Sequence, residues 1–205
     1  MNVHDATEQC FDGRYTPMAM HEQATIWIHR IGLNLGTTAA ELAAFFVDGP
    51  GSDYTGGHFP YHYVVTLERV EQALPLDERG AHARRFGNAH GIGIAVCGDF
   101  RAAPPTPQQL AWTVELCAEL LPALTPMSSV TEAAIPWHLR RGVPVYGHGE
   151  VPQAAGADAK THPDGAYACP GRHLDMDGLR RDVLDARRGR AVAMLKDRGH
   201  RIAGR

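Results

Sequence analysis

The sequence lacks the features that mark several large classes of protein. No stretch of its 205 residues reaches the ~18 consecutive apolar residues of a helical membrane span, so none is predicted. Its four cysteines, Cys10, Cys97, Cys117 and Cys169, are too few and too scattered to indicate a disulfide framework. The first ten residues, MNVHDATEQC, contain neither a basic segment nor an apolar one, so we expect no secretory signal.

Lysine is also scarce, and the charge is unevenly distributed. Among 20 basic residues, only Lys160 and Lys196 are lysines. Residues 178–205 contain nine basic and three acidic side chains and so have a net charge of +6. Because the net charge of the whole chain is −3, the rest of the chain has a net charge of −9. This segment either binds an anionic envelope surface or forms the solvated face of a last helix. It has no interleaved aromatic residues for stacking on bases, so nucleic acid is not an expected partner.

The composition and the pattern of apolar residues indicate a globular α/β protein. Hydrophobic residues make up 44% and charged residues 21%, which is typical of one folded domain. Strands are predicted at Ala24–Ile31, Tyr61–Leu67, Gly91–Phe100 and Val143–Tyr146, with a glycine-rich loop at Gly51–Pro60. The strand at Gly91–Phe100 is apolar on both faces, so we expect it to be central and covered on both. Because strands alternate with helices, we expect a central mixed β-sheet flanked by helices in a single domain.

Helices are predicted from capping and stop signals. One follows a Thr38–Glu41 capping box and ends before Gly49–Pro50. Another runs from Pro107 to Leu121 and is capped by Thr106, with Gln109 three residues on. Further helices are predicted at Pro136–Arg141 and from about Asp175, the last one weakened at Gly189. The predicted division is an N-terminal extension (1–23), a domain (24–181) and a basic helical tail (182–205).

Three residues with metal-binding chemistry lie at the ends of predicted elements. His29 and His148 lie on or directly after strands, and Cys169 precedes Pro170–Gly171. Two imidazoles and a thiolate are good zinc ligands and leave a fourth position for water. They are far apart in sequence, so spacing alone leaves open that they are unrelated core or surface residues.

Five fragments together resemble a known family. In chain order they are IWIHR, PYHYVV, GAHARRFGNAHGIGIAVCGDF, VYGHGEV and ACPGRHLDMDGLRRDV. They resemble the zinc-dependent N-acetylmuramoyl-L-alanine amidases of the type 2 family, which includes amidase-type phage lysozymes and peptidoglycan recognition proteins. The resemblance covers residues from about Ile26 to Arg181.

The resemblance implies a chemistry and a set of roles. It implies hydrolysis of the amide joining N-acetylmuramic acid to L-alanine in peptidoglycan, with Zn²⁺ held on one face of the sheet by His29, His148 and Cys169. Some relatives use a glutamate where this chain has Ala95; the alternative is a catalytic tyrosine, here Tyr61.

The same resemblance implies that the segment carrying His82 and Asn88 is a loop at the border of the substrate groove. His82 and Asn88 are candidate substrate-binding residues, although Asn88 could equally cap a loop by bonding to the backbone. His62, next to Tyr61, is predicted to be a packed or supporting histidine, because side chains alternate along a strand.

The chain departs from the family between its second and third ligands. Twenty residues separate His148 from Cys169, whereas relatives often have seven to ten. Tyr167 stands where many relatives carry a catalytic lysine, histidine or threonine, so we expect Lys160 to fold back and supply the missing charge. His162 is a rival third ligand, although the CPG segment continues the family pattern.

Compartment and partners follow from the expected substrate. Without a signal peptide, the protein is expected to reach peptidoglycan in the periplasm or cell wall by release or injection, or to recycle wall fragments in the cytoplasm. We expect a monomer. The alternative to an amidase is a non-catalytic peptidoglycan-binding module.

Overall fold

The computed structural model describes residues 1–10, 16–18, 23–32, 37–124, 142–150 and 169–203. Within these residues the strands are β1 (Val3–Asp5), β2 (Thr25–Ile31), β3 (Tyr63–Val65), β4 (Val70–Gln72), β5 (Gly91–Cys97) and β6 (Val145–Gly147). They form one sheet in the order β1-β4-β3-β5-β2-β6. The β3–β4 pair is antiparallel and the other pairs are parallel, so the predicted mixed α/β sheet is confirmed.

Helices cover both faces of this sheet. They are α1 (Thr7–Cys10), α2 (Ala39–Phe46), α3 (Ser52–Thr55), α4 (Arg84–His90), α5 (Pro107–Leu120) and α6 (Met176–Ala203), with short 3-10 turns at Leu121–Ala123 and His148–Glu150. Both predicted capping boxes are present, with Thr38 and Glu41 at α2 and Thr106 and Gln109 at α5. Each box satisfies two backbone N–H groups that the first helical turn leaves without partners. No described helix combines the length and the apolar character that a membrane crossing requires.

The two sheet faces are buried in separate apolar clusters. On one face, Ile26 and Ile28 of β2 and the isoleucines of β5 pack with Leu116 of α5 and Leu179 of α6. On the other face, Ala95 and Cys97 pack with α2 and the segment before β3. His29 lies opposite Ala95 in the β2–β5 register, so its side chain shares this second face. Every residue of β5 is buried, which confirms the prediction of a central strand covered on both faces.

Several predicted element bounds require correction. The predicted loop at residues 51–60 contains the short helix α3, and the predicted strand at residues 61–67 is reduced to β3. The last predicted strand is displaced to Val145–Gly147. The last predicted helix is present as α6, which begins at Met176 and continues through Gly189; a glycine costs a helix about 1 kcal/mol relative to alanine, which is too little to end it. The predicted helix at Pro136–Arg141 lies outside the described residues.

The structure also contains elements that periodicity did not indicate. β1 and β4 have three residues each, too short for an alternating pattern to stand out, and α4 occupies part of a segment expected to be a loop. β1 pairs with β4 in the same sheet, and α6 crosses the predicted boundary at residue 181 with Val183 fully buried. The division into extension, domain and tail remains a prediction.

Candidate metal centre

His29 is held on β2, an interior strand of the sheet. Its strand β2 lies between β5 and β6, and the side chain is 2% exposed. The β-branched and aromatic residues around it, TIWIHRI, favour an extended, buried strand. The ring is therefore fixed against the neighbouring strand, beside Ala95.

His148 reaches the same place because β6 pairs with β2. Gly147, the last residue of β6, lies opposite Ile28, so His148 emerges beside His29. The centroids of the two imidazole rings are 4.6 Å apart. The pairing of β2 with β6 therefore brings His29, on β2, and His148, directly after β6, close together.

Cys169 is brought to the two histidines by backbone contacts. The Gly149 N–H donates to the Cys169 carbonyl oxygen at 2.7 Å, which ties the segment after β6 to the cysteine segment. Cys169 Sγ lies 3.7 Å from His29 Nδ1. The candidate ligand atoms of His29, His148 and Cys169 all lie within 4.8 Å of one another.

Two glycines permit this close approach. A Cβ at Gly147 would lie 2.9 Å from Cδ of Pro170. Gly171 has φ +115°, a conformation that L side chains rarely adopt, and a Cβ there would lie 2.5 Å from the carbonyl carbon of Phe100. The His173 N–H then donates to the Phe100 carbonyl oxygen at 2.9 Å, which anchors the segment after the cysteine.

Burial favours the neutral forms of the candidate ligands. It lowers the pKa of His29 well below its usual value, and the neighbouring His148 and His82 lower it further. Burial raises the pKa of Cys169 to about 11, while the backbone N–H and the positive charge of Arg30 oppose this shift. A metal would have to displace the thiol proton but would meet His29 already neutral.

Tyr61 lies beside His29, as a residue acting in this site must. Its ring centroid is 5.2 Å from that of His29, and its other ring neighbours are Phe46 and Phe59. Burial raises the pKa of the phenol far above its usual value, and Cys169 and Cys97 raise it further. The hydroxyl therefore stays protonated at neutral pH and can donate a hydrogen bond.

The two predicted substrate residues make internal contacts instead. His82 is 7% exposed, and its Nδ1 lies 3.2 Å from His29 Nε2. The Asn88 carboxamide oxygen accepts from the backbone N–H groups of His82 and Ala83 at 2.8 and 2.7 Å. This is the backbone-bonding alternative for Asn88. A role for either residue in substrate binding remains a prediction.

Sequence reasoning missed an ion pair that supports the segment of His148. Arg180 of α6 contacts Glu150 at 2.8 Å, and the same carboxylate accepts from the Gly147 N–H at 2.8 Å. The two residues are 30 positions apart, so no local pattern connects them. Lys160, His162 and Tyr167 lie outside the described residues.

The donor set and its spacing fit a zinc ion. Zinc in tetrahedral sites binds histidine nitrogen at ~2.0–2.1 Å and cysteine sulfur at ~2.3 Å, which places two such ligand atoms about 3.5 Å apart. The 3.7 Å between His29 Nδ1 and Cys169 Sγ agrees with that spacing. Three protein ligands are typical of catalytic zinc sites, which keep a further position for water.

Comparison with known proteins agrees with this fold and shows the family of the chain. Residues 20–172 match the family profile described as N-acetylmuramoyl-L-alanine amidase. No curated protein matches the chain in sequence.

Solved structures share the fold at low sequence identity. The N-acetylmuramoyl-L-alanine amidase LysC from Clostridium intestinale URNW is 17% identical with a TM-score of 0.60, covering 89% of this chain and 97% of its own. The Ph2119 endolysin from the Thermus scotoductus MAT2119 bacteriophage is 18% identical with a TM-score of 0.59. The alignment covers 89% of this chain and 99% of the endolysin. Drosophila peptidoglycan recognition protein SD is 17% identical with a TM-score of 0.60. The alignment covers 85% of this chain and 90% of the recognition protein.

Proposed function

Because this chain belongs to the N-acetylmuramoyl-L-alanine amidase family, we propose that it hydrolyses the amide bond between N-acetylmuramic acid and L-alanine in peptidoglycan. We further propose that the reaction depends on a zinc ion held by His29, His148 and Cys169. The observation that carries the proposal is the convergence of these three side chains, from β2, the end of β6 and the CPG segment, to within 4.8 Å.

The chemistry of such a centre suits the proposed bond. An amide is a poor electrophile, and zinc supplies a Lewis acid for its carbonyl together with a water whose pKa is lowered to about 7. The protein's own contribution is to fix the three donors on a buried sheet face. His29 and His148 are fixed by strand pairing, and Cys169 is fixed by its carbonyl's hydrogen bond from Gly149.

Tyr61 has the protonation state of a donor in this reaction. Its high pKa keeps the phenol neutral, so it is suited to hydrogen-bond an oxygen that gains negative charge and is not suited to act as a base. Ala95 carries no carboxylate at the position next to His29, which leaves Tyr61 as the described candidate for this role. Lys160 remains a second proposed proton-handling group.

The experiment that tests the proposal uses purified sacculi and the full chain. We expect release of peptides with a new L-alanine N-terminus, loss of that release with a chelator, and its recovery on adding zinc. New reducing sugar ends would instead identify a glycosidase and contradict the assignment.

A matched pair of cysteine variants separates catalysis from binding. Cys169→Ala should abolish hydrolysis. Cys117→Ala should retain it, because Cys117 is a fully buried residue of α5 on the opposite face of the sheet. If the wild-type protein sediments with sacculi but releases no peptide in the presence of zinc, it is a peptidoglycan-binding module.

A further inference from the structure

A hydrogen-bonded pair of buried histidines lies behind the candidate metal centre. His29 directs Nδ1 toward Cys169 Sγ and Nε2 toward Nδ1 of His82. The other ring nitrogen of His82, Nε2, lies 3.2 Å from the carbonyl oxygen of Gly91. The pair therefore connects the metal-facing side of His29 to the backbone of β5.

The Gly91 carbonyl determines where the protons lie in this chain of contacts. A carbonyl oxygen can only accept, so His82 Nε2 carries the proton and donates it to that oxygen. In a neutral imidazole the other nitrogen is then an acceptor, so His82 Nδ1 accepts from His29 Nε2. His29 Nδ1 then carries no proton, and its lone pair faces Cys169 Sγ.

We propose that His82 is a positioning residue that holds His29 in the tautomer whose Nδ1 can bind the metal. This inference rests on the proposed function, because it takes His29 as a zinc ligand. It assigns His82 a role different from the substrate contact predicted from the sequence. Partners of this kind typically change metal affinity by ~10–100-fold, because they fix the tautomer and orientation of the ligand ring.

The ring of His82 is closely surrounded by two glycines and a second histidine. A Cβ at Gly80 or at Gly93 would lie 2.7 Å from Cδ2 of His82, so both glycines leave the space that the ring occupies. His62 packs edge-on against the ring with centroids 5.9 Å apart. His62 is itself held by the Gly93 N–H, at 3.0 Å from its Nδ1, and by the Glu78 carbonyl oxygen, at 2.9 Å from its Nε2.

The first test reads the tautomers directly in the metal-free wild-type chain. Nitrogen-15 NMR of the imidazole rings should show a protonated Nε2 and an unprotonated Nδ1 in both His29 and His82. A protonated Nδ1 on His29 would overturn the proposal. This measurement needs neither a variant nor activity.

The second test measures zinc affinity in variants by competition with a chelator. His82→Phe keeps a ring of similar size but removes the acceptor, and it should weaken zinc binding by ~10–100-fold. His82→Asn should recover most of the affinity, because its carboxamide oxygen can accept in place of Nδ1. The control His4→Phe changes an exposed histidine on the edge strand β1 and should bind zinc as the wild type does.

The outcomes separate this inference from the proposed function. The positioning role is overturned, while zinc binding stands, if His82→Phe binds zinc as tightly as the wild type. It is also overturned if His82→Phe and His82→Asn lose zinc affinity equally while their melting temperatures equal that of the wild type. A wild-type chain that binds no zinc would contradict the proposed function, and the NMR tautomers would still report on His82.

Discussion

Arg180 of α6 forms a bidentate ion pair with Glu150, which lies two residues after the candidate ligand His148. Its two terminal nitrogens lie 2.8 and 2.9 Å from the two carboxylate oxygens. Arg180 also donates to the Val145 carbonyl oxygen at 3.1 Å, and Glu150 accepts from the Gly147 N–H. The last helix thereby fixes both ends of the short segment that carries His148.

We therefore predict that Arg180→Met weakens both stability and zinc affinity. Hydrogen bonds to charged groups contribute ~1.5–3 kcal/mol, and Arg180 is largely buried, so the free energy of unfolding should fall by about that amount. Zinc binding should weaken because the His148 segment loses its anchor. Denaturant unfolding and chelator competition measure the two effects.

The matched control is Arg188→Met on the same helix. Arg188 pairs with Asp185 at 3.1 Å, but both side chains are more than two-thirds exposed, so the change should cost less than about 1 kcal/mol. Equal effects of the two arginine variants would contradict the anchoring role of Arg180.

The identity of the third ligand gives a second prediction. Cys169→Ala should lose tight zinc, because two histidines without a third ligand leave the coordination incomplete. His162→Ala should keep about one zinc per chain. The measurement is zinc stoichiometry by elemental analysis after gel filtration; loss of zinc in His162→Ala together with its retention in Cys169→Ala would reverse the assignment.

The third prediction separates proton chemistry from metal binding. Tyr61→Phe removes one hydroxyl and no proposed ligand, so zinc content should stay near one per chain while the rate of peptide release falls. One positioned acid–base group contributes ~10²–10⁴-fold, which sets the expected loss. Lys160→Ala tests in the same assay whether Lys160 is a second proton-handling group. An unchanged rate of peptide release would leave Tyr61 as the remaining candidate for that role. A Tyr61→Phe variant with the wild-type rate would remove the tyrosine from the mechanism.

The buried His62 predicts a loss of stability in acid. Burial lowers its pKa from 6.5 to about 4 in the folded protein, so between these values the unfolded chain binds a proton that the folded chain does not. The stability present above pH 6.5 is therefore lost progressively as the pH falls to about 4. Each pKa unit corresponds to about 1.4 kcal/mol, so the loss amounts to a few kcal/mol.

The measurement for this prediction is the free energy of unfolding of the metal-free protein between pH 7 and pH 4. His62→Gln should lower stability at pH 7, because the imidazole contacts with Gly93 and Glu78 are lost, and should also show a shallower dependence on pH. Parallel pH profiles for the variant and the wild type would contradict the assignment to His62.

The basic C-terminal segment gives the last prediction. Truncation after Gly189 keeps Leu179 and Val183, which are buried in the core, and removes Val192 and Met194, which are at least half exposed. We expect hydrolysis of isolated sacculi to survive this truncation. Attachment to vesicles of anionic lipid should weaken, and in the full chain it should decrease strongly with salt. If the truncated chain unfolds, or binds the vesicles as well as the full chain does, the segment is not an anionic-surface anchor.

Much of the site could be predicted because its elements carry local signals. The capping residues Thr38 and Thr106 and the all-apolar β5 are set by short-range chemistry, and the structure confirms them. The resemblance of five sequence fragments to the amidase family implied that His29, His148 and Cys169 form a metal centre, and the structure brings their side chains together. What the sequence determined was the set of donors and the type of element that presents each one.

Tertiary structure decided the arrangement around those donors. The pairing of β2 with both β5 and β6 places His148 and Ala95 beside His29, and no spacing in the sequence encodes that register. His82 contacts His29 from 53 residues away, and Arg180 reaches Glu150 from 30 residues away. Such contacts arise from chain pairing and helix packing over long separations, whereas periodicity and capping report on neighbours within a few residues.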